Sequence, residues 1–201
     1  GPDVTGDGYS DMIVGAPDSS SATYSAKGKV YVYHGSTNGI ASNAAAAATI
    51  NGNLNYMGLG SVLESPGDVN SDGCDDILVA ANPGSFNGNF VALYTGSSAG
   101  LRTSHSGIFT GALGEYYGQG LGSGDFDGDG DIDIAAARAG NVDILLNNGA
   151  GVYAAPVPYA VGTNPVRLAT ADFNGDGKMD IAVSQTNGQV VVMFNSGTAT
   201  F

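Results

Sequence analysis

The chain has 201 residues, of which 42% are hydrophobic and 12% are charged, and 33 are glycine. This size and composition allow one hydrophobic core or a continuous stack of repeats, and the many glycines suit numerous tight turns. Six basic and nineteen acidic residues give a net charge of −13. The six basic residues are scattered along the chain and form no pattern, so nucleic-acid binding is not expected. No apolar run approaches the roughly 20 residues of a membrane span, so membrane insertion is not expected.

Four acidic loops occur along the chain, each with the pattern Asp-x-[Asn/Asp/Thr]-x-Asp-Gly-x-x-Asp and each leading into a short apolar run. They span residues 3–11, 68–76, 125–133 and 172–180. Oxygen-bearing side chains at loop positions 1, 3, 5 and 9, with the backbone carbonyl of position 7, suit calcium, which takes roughly six to eight oxygen ligands. The glycine at position 6 permits the sharp bend between them.

The predicted calcium ligands are the residues at positions 1, 3, 5, 7 and 9 of the four loops. They are Asp3, Thr5, Asp7, Tyr9 and Asp11; Asp68, Asn70, Asp72, Cys74 and Asp76; Asp125, Asp127, Asp129, Asp131 and Asp133; and Asp172, Asn174, Asp176, Lys178 and Asp180. We expect three to four calcium ions per chain, with the tightest at the third loop, which has the most carboxylates. A solvated acidic turn would not by itself explain the repeated Asp at position 9.

Strand-like segments occupy the chain between the loops. Apolar runs follow the loops at residues 12–16, 77–81, 132–137 and 181–183, and alternating segments follow at 29–33, 90–94, 142–146 and 190–194. The sequence therefore predicts an all-β array.

An EF-hand also opens with Asp-x-Asp-x-Asp-Gly, but it needs a bidentate Glu at position 12 and a helix on each side. Position 12 is occupied here by Val14, Val79, Ala136 and Val183, and the sequence has no sustained helical period. The EF-hand interpretation is therefore excluded for all four loops.

The loops resemble FG-GAP repeats, the units of the integrin α-subunit β-propeller. The resemblance extends to Val14-Gly15-Ala16-Pro17 after the first loop and to residues 56–62 before the second. Residues 169–183 resemble the related VCBS repeat of secreted bacterial proteins, whereas residues 80–83 depart from the Gly-Ala-Pro element. The resemblance implies a β-propeller of four-stranded antiparallel blades. On that plan residues 57–67, 116–124 and 164–171 are the innermost strands before the second, third and fourth loops, and successive units have three, four, four and three strands, so two blades are complete and two are partial. We expect one domain or propeller segment, 1–201, with units at about 1–50, 51–110, 111–160 and 161–201. We expect these units to be part of a larger propeller ring, and a closed four-bladed ring is the alternative.

A propeller of this kind carries the calcium loops on one face and the longer connections on the other. Five aromatic residues of that second face form the predicted ligand-binding surface: Tyr24, Tyr56, Phe86, Tyr116 and Tyr117. Packing between blades is the alternative for Tyr56, Tyr116 and Tyr117. Tyr24 and Phe86 lie in the longest and most polar connections.

Few residues are candidates for catalysis. His34 and His105 are the only histidines, and we expect packing or surface roles for both. The sequence has no Gly-x-Ser-x-Gly nucleophile elbow, and the glycines of residues 118–124 lack the Lys of a phosphate-binding loop, which indicates a closely packed inner strand. Cys74 is the one cysteine and cannot form an internal disulfide. The chain is therefore predicted to be non-enzymatic.

We predict a calcium-binding extracellular module for adhesion or protein recognition, in which the calcium ions are structural. A lectin-like, carbohydrate-binding propeller and an accessory domain of a secreted hydrolase are the alternatives. Calcium sites of modest affinity function where free calcium is high, which with the resemblance indicates an extracellular, cell-surface or periplasmic location. Open strand edges in the first and last units predict self-association.

Overall fold

The structure is a computed structural model that describes residues 1–20, 25–53, 57–81, 89–111 and 114–201. Within these ranges the chain forms fourteen strands and no helix. The strands are β1 (Met12–Ala16), β2 (Lys29–Tyr33), β3 (Ala48–Asn51), β4 (Leu59–Gly67), β5 (Asp76–Ala81), β6 (Phe90–Tyr94), β7 (Gly107–Thr110), β8 (Leu121–Gly124), β9 (Asp133–Arg138), β10 (Asn141–Leu145), β11 (Val157–Ala160), β12 (Pro165–Ala171), β13 (Asp180–Gln185) and β14 (Val190–Met193). The predicted all-β class is confirmed.

The strands form four antiparallel sheets in which each strand pairs with its neighbours in sequence. The sheets are β1-β2-β3, β4-β5-β6-β7, β8-β9-β10-β11 and β12-β13-β14, and we call them the first to fourth blades. The predicted series of three, four, four and three strands is therefore confirmed for the described residues, and the arrangement is that of β-propeller blades. No helix long and apolar enough to span a membrane occurs in this part of the chain.

The second strand of a complete blade is apolar along its length because both of its faces are covered. All six residues of β5 are buried. Ile77 and Val79 join the core shared with the first blade, whereas Leu78 and Ala80 join the core shared with the third. A strand covered on both sides has a continuous apolar run in place of an alternating pattern. This burial explains why an unbroken apolar run follows the acidic loop directly.

Three hydrophobic clusters fill the three spaces between successive blades. They pair Val30 with Ile77, Leu93 with Ile134, and Ile144 with Ile181 across the first, second and third spaces. Each blade is thus stabilised mainly by its neighbours, as expected for an array of repeats.

Glycines allow the innermost strands of successive blades to approach closely. A Cβ on Gly120 would lie 2.9 Å from the Cα of Arg167, and one on Gly122 would lie 2.8 Å from Cγ2 of Thr170. Larger side chains at these positions would push the third and fourth blades apart. The predicted role of residues 118–124 in a closely packed inner strand is confirmed here.

Candidate metal centres

Each acidic loop occupies the same place in its blade. The second, third and fourth loops connect β4 to β5, β8 to β9 and β12 to β13, and the first loop precedes β1. Because the blades share one topology, the four loops lie at the same end of the array. The structure therefore gathers most of the acidic residues of the chain at that end.

Backbone N–H groups fold each loop around its own carboxylates. In all four loops the position 6 glycine donates to Oδ2 of the position 1 Asp, over 2.7 to 3.0 Å. The N–H of position 7 donates to Oδ1 of the position 5 Asp, over 2.9 to 3.0 Å. These bonds turn the side-chain oxygens toward the inside of the loop, which is the arrangement that cation binding requires.

The position 6 glycines adopt the left-handed backbone conformation that the tight turn requires. Their φ angles are +87°, +88°, +93° and +82° at Gly8, Gly73, Gly130 and Gly177. Nothing lies within 4 Å of the place where a Cβ would stand at these four positions. Backbone conformation, and not lack of space, is therefore the reason for glycine here.

The position 9 aspartates have a structural role that the sequence did not indicate. In every loop Oδ2 of this Asp accepts the N–H of position 2, over 2.9 to 3.0 Å. Oδ1 accepts a backbone N–H from the turn that follows β2, β6, β10 or β14 in the respective blade, over 2.8 to 2.9 Å. The repeated Asp at position 9 thus fastens the start of the loop to a turn 14 to 24 residues further on.

Two of these carboxyl groups titrate far from their ordinary range. Burial raises the pKa of Asp76 to about 6, against the lowering effect of the N–H groups that it accepts. Burial likewise raises the pKa of Asp133 to about 6, and the neighbouring Asp127 and Asp129 carboxylates add to the rise. Burial and like charge both disfavour the charged carboxylate, whereas a cation beside these groups would favour it and lower the pKa.

The third loop brings its carboxylates closest together. Oxygen atoms of Asp125, Asp127 and Asp133 all lie within 4.8 Å of one another, and this is the one such group found among the described residues. Asp129, at position 5, belongs to the same loop and faces the N–H of Asp131. A set of donors made only of oxygen suits a hard cation such as calcium.

The residue at position 7 differs from loop to loop and changes the local charge. In the fourth loop Nζ of Lys178 lies 3.7 Å from Oδ2 of Asp176 and donates to the carbonyl of Ser196 over 2.8 Å. In the second loop Cys74 is buried, and burial raises the pKa of its thiol. A protonated thiol is a poor metal ligand, so only the backbone carbonyl of Cys74 is suited to a cation.

Each of the first three loops is also bonded to the next blade. The carbonyl of Val69, at position 2 of the second loop, accepts Nδ2 of Asn147 over 2.8 Å. The carbonyl of Phe126 in the third loop accepts Nδ2 of Asn195 over 2.7 Å. In the first loop the carbonyl of Val4 accepts the N–H of Ser97. The loops are therefore part of the interfaces between blades.

At the opposite end of the blades, the predicted ligand-binding surface is only partly described. Tyr24, Tyr56 and Phe86 lie outside the described residues. Tyr117 is buried in the core between the second and third blades, so its ring packs between blades and is not part of an exposed surface.

Tyr116 is the predicted aromatic residue that the structure does expose. Its side chain is 41% exposed, and its backbone has a φ of +53°, a left-handed conformation that is uncommon for a residue other than glycine. It lines a groove of about 190 Å³ together with Gln119, Asn164 and Thr186. Of the two histidines, His34 lies against Gly100, and the exposed His105 meets Tyr94 edge-on at 6.2 Å between ring centroids.

The fold and the loops agree with family comparisons. A model described as FG-GAP-like repeat matches residues 68–136 and 125–183, and one described as FG-GAP repeat matches residues 1–33. The chain belongs to the FG-GAP repeat family. The two matched stretches of the FG-GAP-like repeat include the second, third and fourth acidic loops, and the FG-GAP match includes the first.

Two integrins are similar to this FG-GAP repeat protein. Integrin alpha-6 of Gallus gallus is 34% identical over 112 residues, which are 54% of this chain and 10% of the integrin. Integrin alpha-4 of Xenopus laevis is 33% identical over 105 residues, which are 52% of this chain and again 10% of the integrin. The similarity therefore concerns about a tenth of each integrin and identifies an integrin-like propeller module.

Proposed function

We propose that this chain is a calcium-binding propeller module that recognises a protein ligand outside the cell and has no catalytic activity. The observation that supports the proposal most directly is the third loop, where the oxygens of three carboxylates converge within 4.8 Å. Like charges so close together repel one another, and a divalent cation would remove that repulsion. The other three loops repeat the same backbone arrangement around their first carboxylate.

In this proposal positions 1, 3, 5 and 9 supply side-chain oxygens and position 7 supplies its carbonyl, for three to four calcium ions per chain. The third loop is the tightest site because it has four ligand carboxylates. The fourth loop is weakened by Lys178, because its ammonium group lies 3.7 Å from the Asp176 carboxylate and competes for that negative charge. The ions would hold loop, turn and neighbouring blade together, so their role is structural.

The calcium sites are assigned no catalytic role. Protein oxygens at five loop positions would fill most of the calcium shell, which leaves little room for an activated water. We assign neither histidine a catalytic role: His34 lies against Gly100, and the ring of His105 contacts Tyr94.

The proposed recognition surface is the end of the blades opposite the acidic loops. Tyr116 supports it, because an exposed aromatic ring in a strained backbone conformation is typical of a binding residue. A glycan is the second candidate ligand. The groove beside Tyr116 also contains Gln119, Asn164 and Thr186, whose amide and hydroxyl groups suit the hydrogen bonds of a sugar. We further propose that residues 1–201 act as one domain or propeller segment in an extracellular, cell-surface or periplasmic setting.

Thermal unfolding with calcium titrated against a chelator tests the calcium proposal. We expect the melting temperature to rise as calcium is added, and three to four calcium ions to be recovered per chain by elemental analysis. Magnesium is the control cation: because it favours a smaller octahedral shell, it should stabilise the chain much less at equal concentration. An unchanged melting temperature without bound calcium would rule the proposal out.

Glycan and protein ligands can be separated with one variant. If a sugar stacks on Tyr116, a glycan array should give a signal that Tyr116→Ala abolishes while the melting temperature stays the same. A signal that persists in Tyr116→Ala would mean that the sugar binds at a site that does not include the Tyr116 ring. An array with no signal would leave the protein ligand as the supported candidate.

A further inference from the structure

A groove opens between the second and third blades, at the end of the array that carries the acidic loops. Its walls are the second acidic loop, the connection between β6 and β7 at residues 95–106, and residues 150–152 between β10 and β11. Its volume is about 430 Å³, within the range of roughly 300–1,000 Å³ that small-ligand sites occupy. Because Tyr116 lies at the opposite end of the blades, this groove is separate from the recognition surface proposed above.

Arg102 brings into this groove a guanidinium group that no acidic residue neutralises. None of the ion pairs found among the described residues involves Arg102. Asp72 lines the same groove, but its Oδ1 accepts the N–H of Cys74 and its Oδ2 accepts Nδ2 of Asn70, and it does not pair with Arg102. In a chain with nineteen acidic and six basic residues, a guanidinium left unpaired inside a groove is available to an anion from outside.

The backbone that carries Arg102 is held in place on both sides. The side chain of Leu101 is buried in the core between the first and second blades, and the N–H of Arg102 donates to the carbonyl of Thr95 over 2.9 Å. Further along, the N–H of Ser106 donates to the carbonyl of Leu93 over 2.8 Å. A donor on such a fixed base loses less conformational freedom on binding than one on a mobile loop.

Thr95 is an independent indication of a ligand. It lines the groove and is only 8% exposed, yet its hydroxyl makes no hydrogen bond with any residue that the structure describes. A hydroxyl withdrawn from water without a partner lowers stability, and a ligand with a hydrogen-bond acceptor would supply that partner. Because the backbones of Arg102 and Thr95 are bonded to each other, both donors stand in the same part of the groove.

The lining suits a carboxylate on a peptide. A guanidinium binds a carboxylate through two parallel N–H donors, and a hydroxyl can donate to a remaining lone pair. Val152, which is 60% exposed, gives the opposite wall an apolar surface for the side chain beside the acidic one. No Phe, Tyr or Trp is among the lining residues that the structure describes, so a sugar ring has no aromatic face here on which to stack.

We propose that this groove binds an acidic residue of a peptide, with its side-chain carboxylate on Arg102 and Thr95 and the adjoining apolar residue against Val152. The donors belong to the chain itself, so the site requires no cation. The Asp72 carboxylate nevertheless repels an anion in the groove, so the peptide should bind more tightly when the second loop holds calcium. That calcium dependence, and no other part of the inference, rests on the proposed function.

An NMR titration of the isotope-labelled chain with N-acetyl-aspartyl-valine amide tests the proposal. The amide signals of residues 95–106 and 150–152 should shift until the site is saturated, whereas those around Tyr116 should not move. N-acetyl-asparaginyl-valine amide is the matched probe without the charge, and it should bind about tenfold or more weakly. Glucuronate carries its carboxylate on a sugar, and glucuronate binding as tight as that of the acidic peptide would contradict the assignment to a peptide.

Variants of the two donors give the second part of the test. Arg102→Gln should weaken binding of the acidic peptide about tenfold or more, and Arg102→Lys, which keeps the charge without the paired donors, should recover only part of the loss. Thr95→Val keeps the shape and removes the hydroxyl, so affinity should fall about threefold to tenfold. Its melting temperature should stay the same or rise, because that hydroxyl has no partner within the described chain.

Arg167→Gln is the matched control, since it removes the same charge at an exposed position on β12 in the fourth blade. It should bind the acidic peptide as the unchanged chain does. Equal losses in Arg102→Gln and Arg167→Gln would reduce the effect to net charge and overturn the proposal, as would a peptide that shifts no signal in residues 95–106. Repeating the titration in chelator separates the two proposals. Binding that depends on Arg102 but is equally tight with and without calcium would support the groove and count against calcium at the second loop.

Discussion

At the level of single residues, the aspartates of the acidic loops divide into two kinds. Those at position 9 are buried and hold two backbone N–H groups, one from the loop and one from a distant turn. Position 3 is an aspartate only in the third loop, where Asp127 is half-buried, and it is Thr5, Asn70 and Asn174 in the others. The first kind is required by the fold and the second kind mainly by the cation that we propose.

This division predicts different results for Asp133→Asn and Asp127→Asn. The single side-chain oxygen of Asn can accept only one of the two N–H groups at Asp133, so the free energy of unfolding without calcium should fall by about 1–3 kcal/mol. Asp127→Asn restores the residue type of Asn70 and Asn174, so metal-free stability should change by less than about 0.5 kcal/mol. Urea unfolding in chelator measures both.

Calcium titration of the same pair completes the comparison. Asp127→Asn should weaken calcium binding at the third loop, because one ligand charge is lost while the oxygen remains. Equal losses of metal-free stability in the two variants would contradict the division.

The sequence predicted all four position 9 residues as calcium ligands and did not predict their structural role. Their bonds to the turns join residues up to 24 positions apart, which a local pattern does not show. The burial of Tyr117 was likewise left open by the sequence, because adjacent tyrosines at 116 and 117 differ only in the direction that the backbone gives them.

At the level of strands and turns, the repeated pattern predicted most of the structure. The spacing of apolar runs and glycines predicted the all-β class, and the strand series of the four units followed when the blade plan of the FG-GAP repeat was applied to it, since each blade repeats one local plan. The bonds between blades did not follow, because they join residues that are 69 or 78 positions apart, such as Phe126 with Asn195 and Val69 with Asn147. A repeated sequence pattern therefore predicts the structure within one unit more readily than the contacts between units.

The turn asparagines give the test at this level. Asn195→Ala removes the amide that donates to the carbonyl of Phe126 and leaves that buried carbonyl with fewer partners, so stability should fall by about 1–3 kcal/mol. The control is Asn148→Ala, because Asn148 is exposed and its side chain accepts only the nearby N–H of Ala150. Its loss should be less than about 0.5 kcal/mol. Chemical unfolding of both variants in chelator measures the difference, and similar losses would show that the bond between blades contributes little.

At the level of the whole molecule, the net charge of −13 is concentrated at one end of the array because thirteen of the nineteen acidic residues occupy loop positions 1, 3, 5 and 9. In chelator, sodium chloride should screen the repulsion between these groups and raise the melting temperature. With calcium bound, much of the charge is neutralised, so the same salt should have a smaller effect. Melting curves over a salt series in both conditions test this; equal slopes would mean that the carboxylate clusters do not limit stability.

The bonds between loops and turns form one continuous path across the array. The N–H of Val69 donates to Asp76, the carbonyl of Val69 accepts the side chain of Asn147, and the N–H of Asn147 donates to Asp133. The same series of bonds links the third and fourth loops. The N–H of Phe126 donates to Asp133, the carbonyl of Phe126 accepts the side chain of Asn195, and the N–H of Asn195 donates to Asp180. A cation that orders one loop would therefore also order the turn that fixes the carboxylate of the next, so cation occupancy at neighbouring loops would be thermodynamically linked. If the loops bind calcium as proposed, they would fill cooperatively, and the chain would respond to calcium over a narrower range of concentration than independent loops.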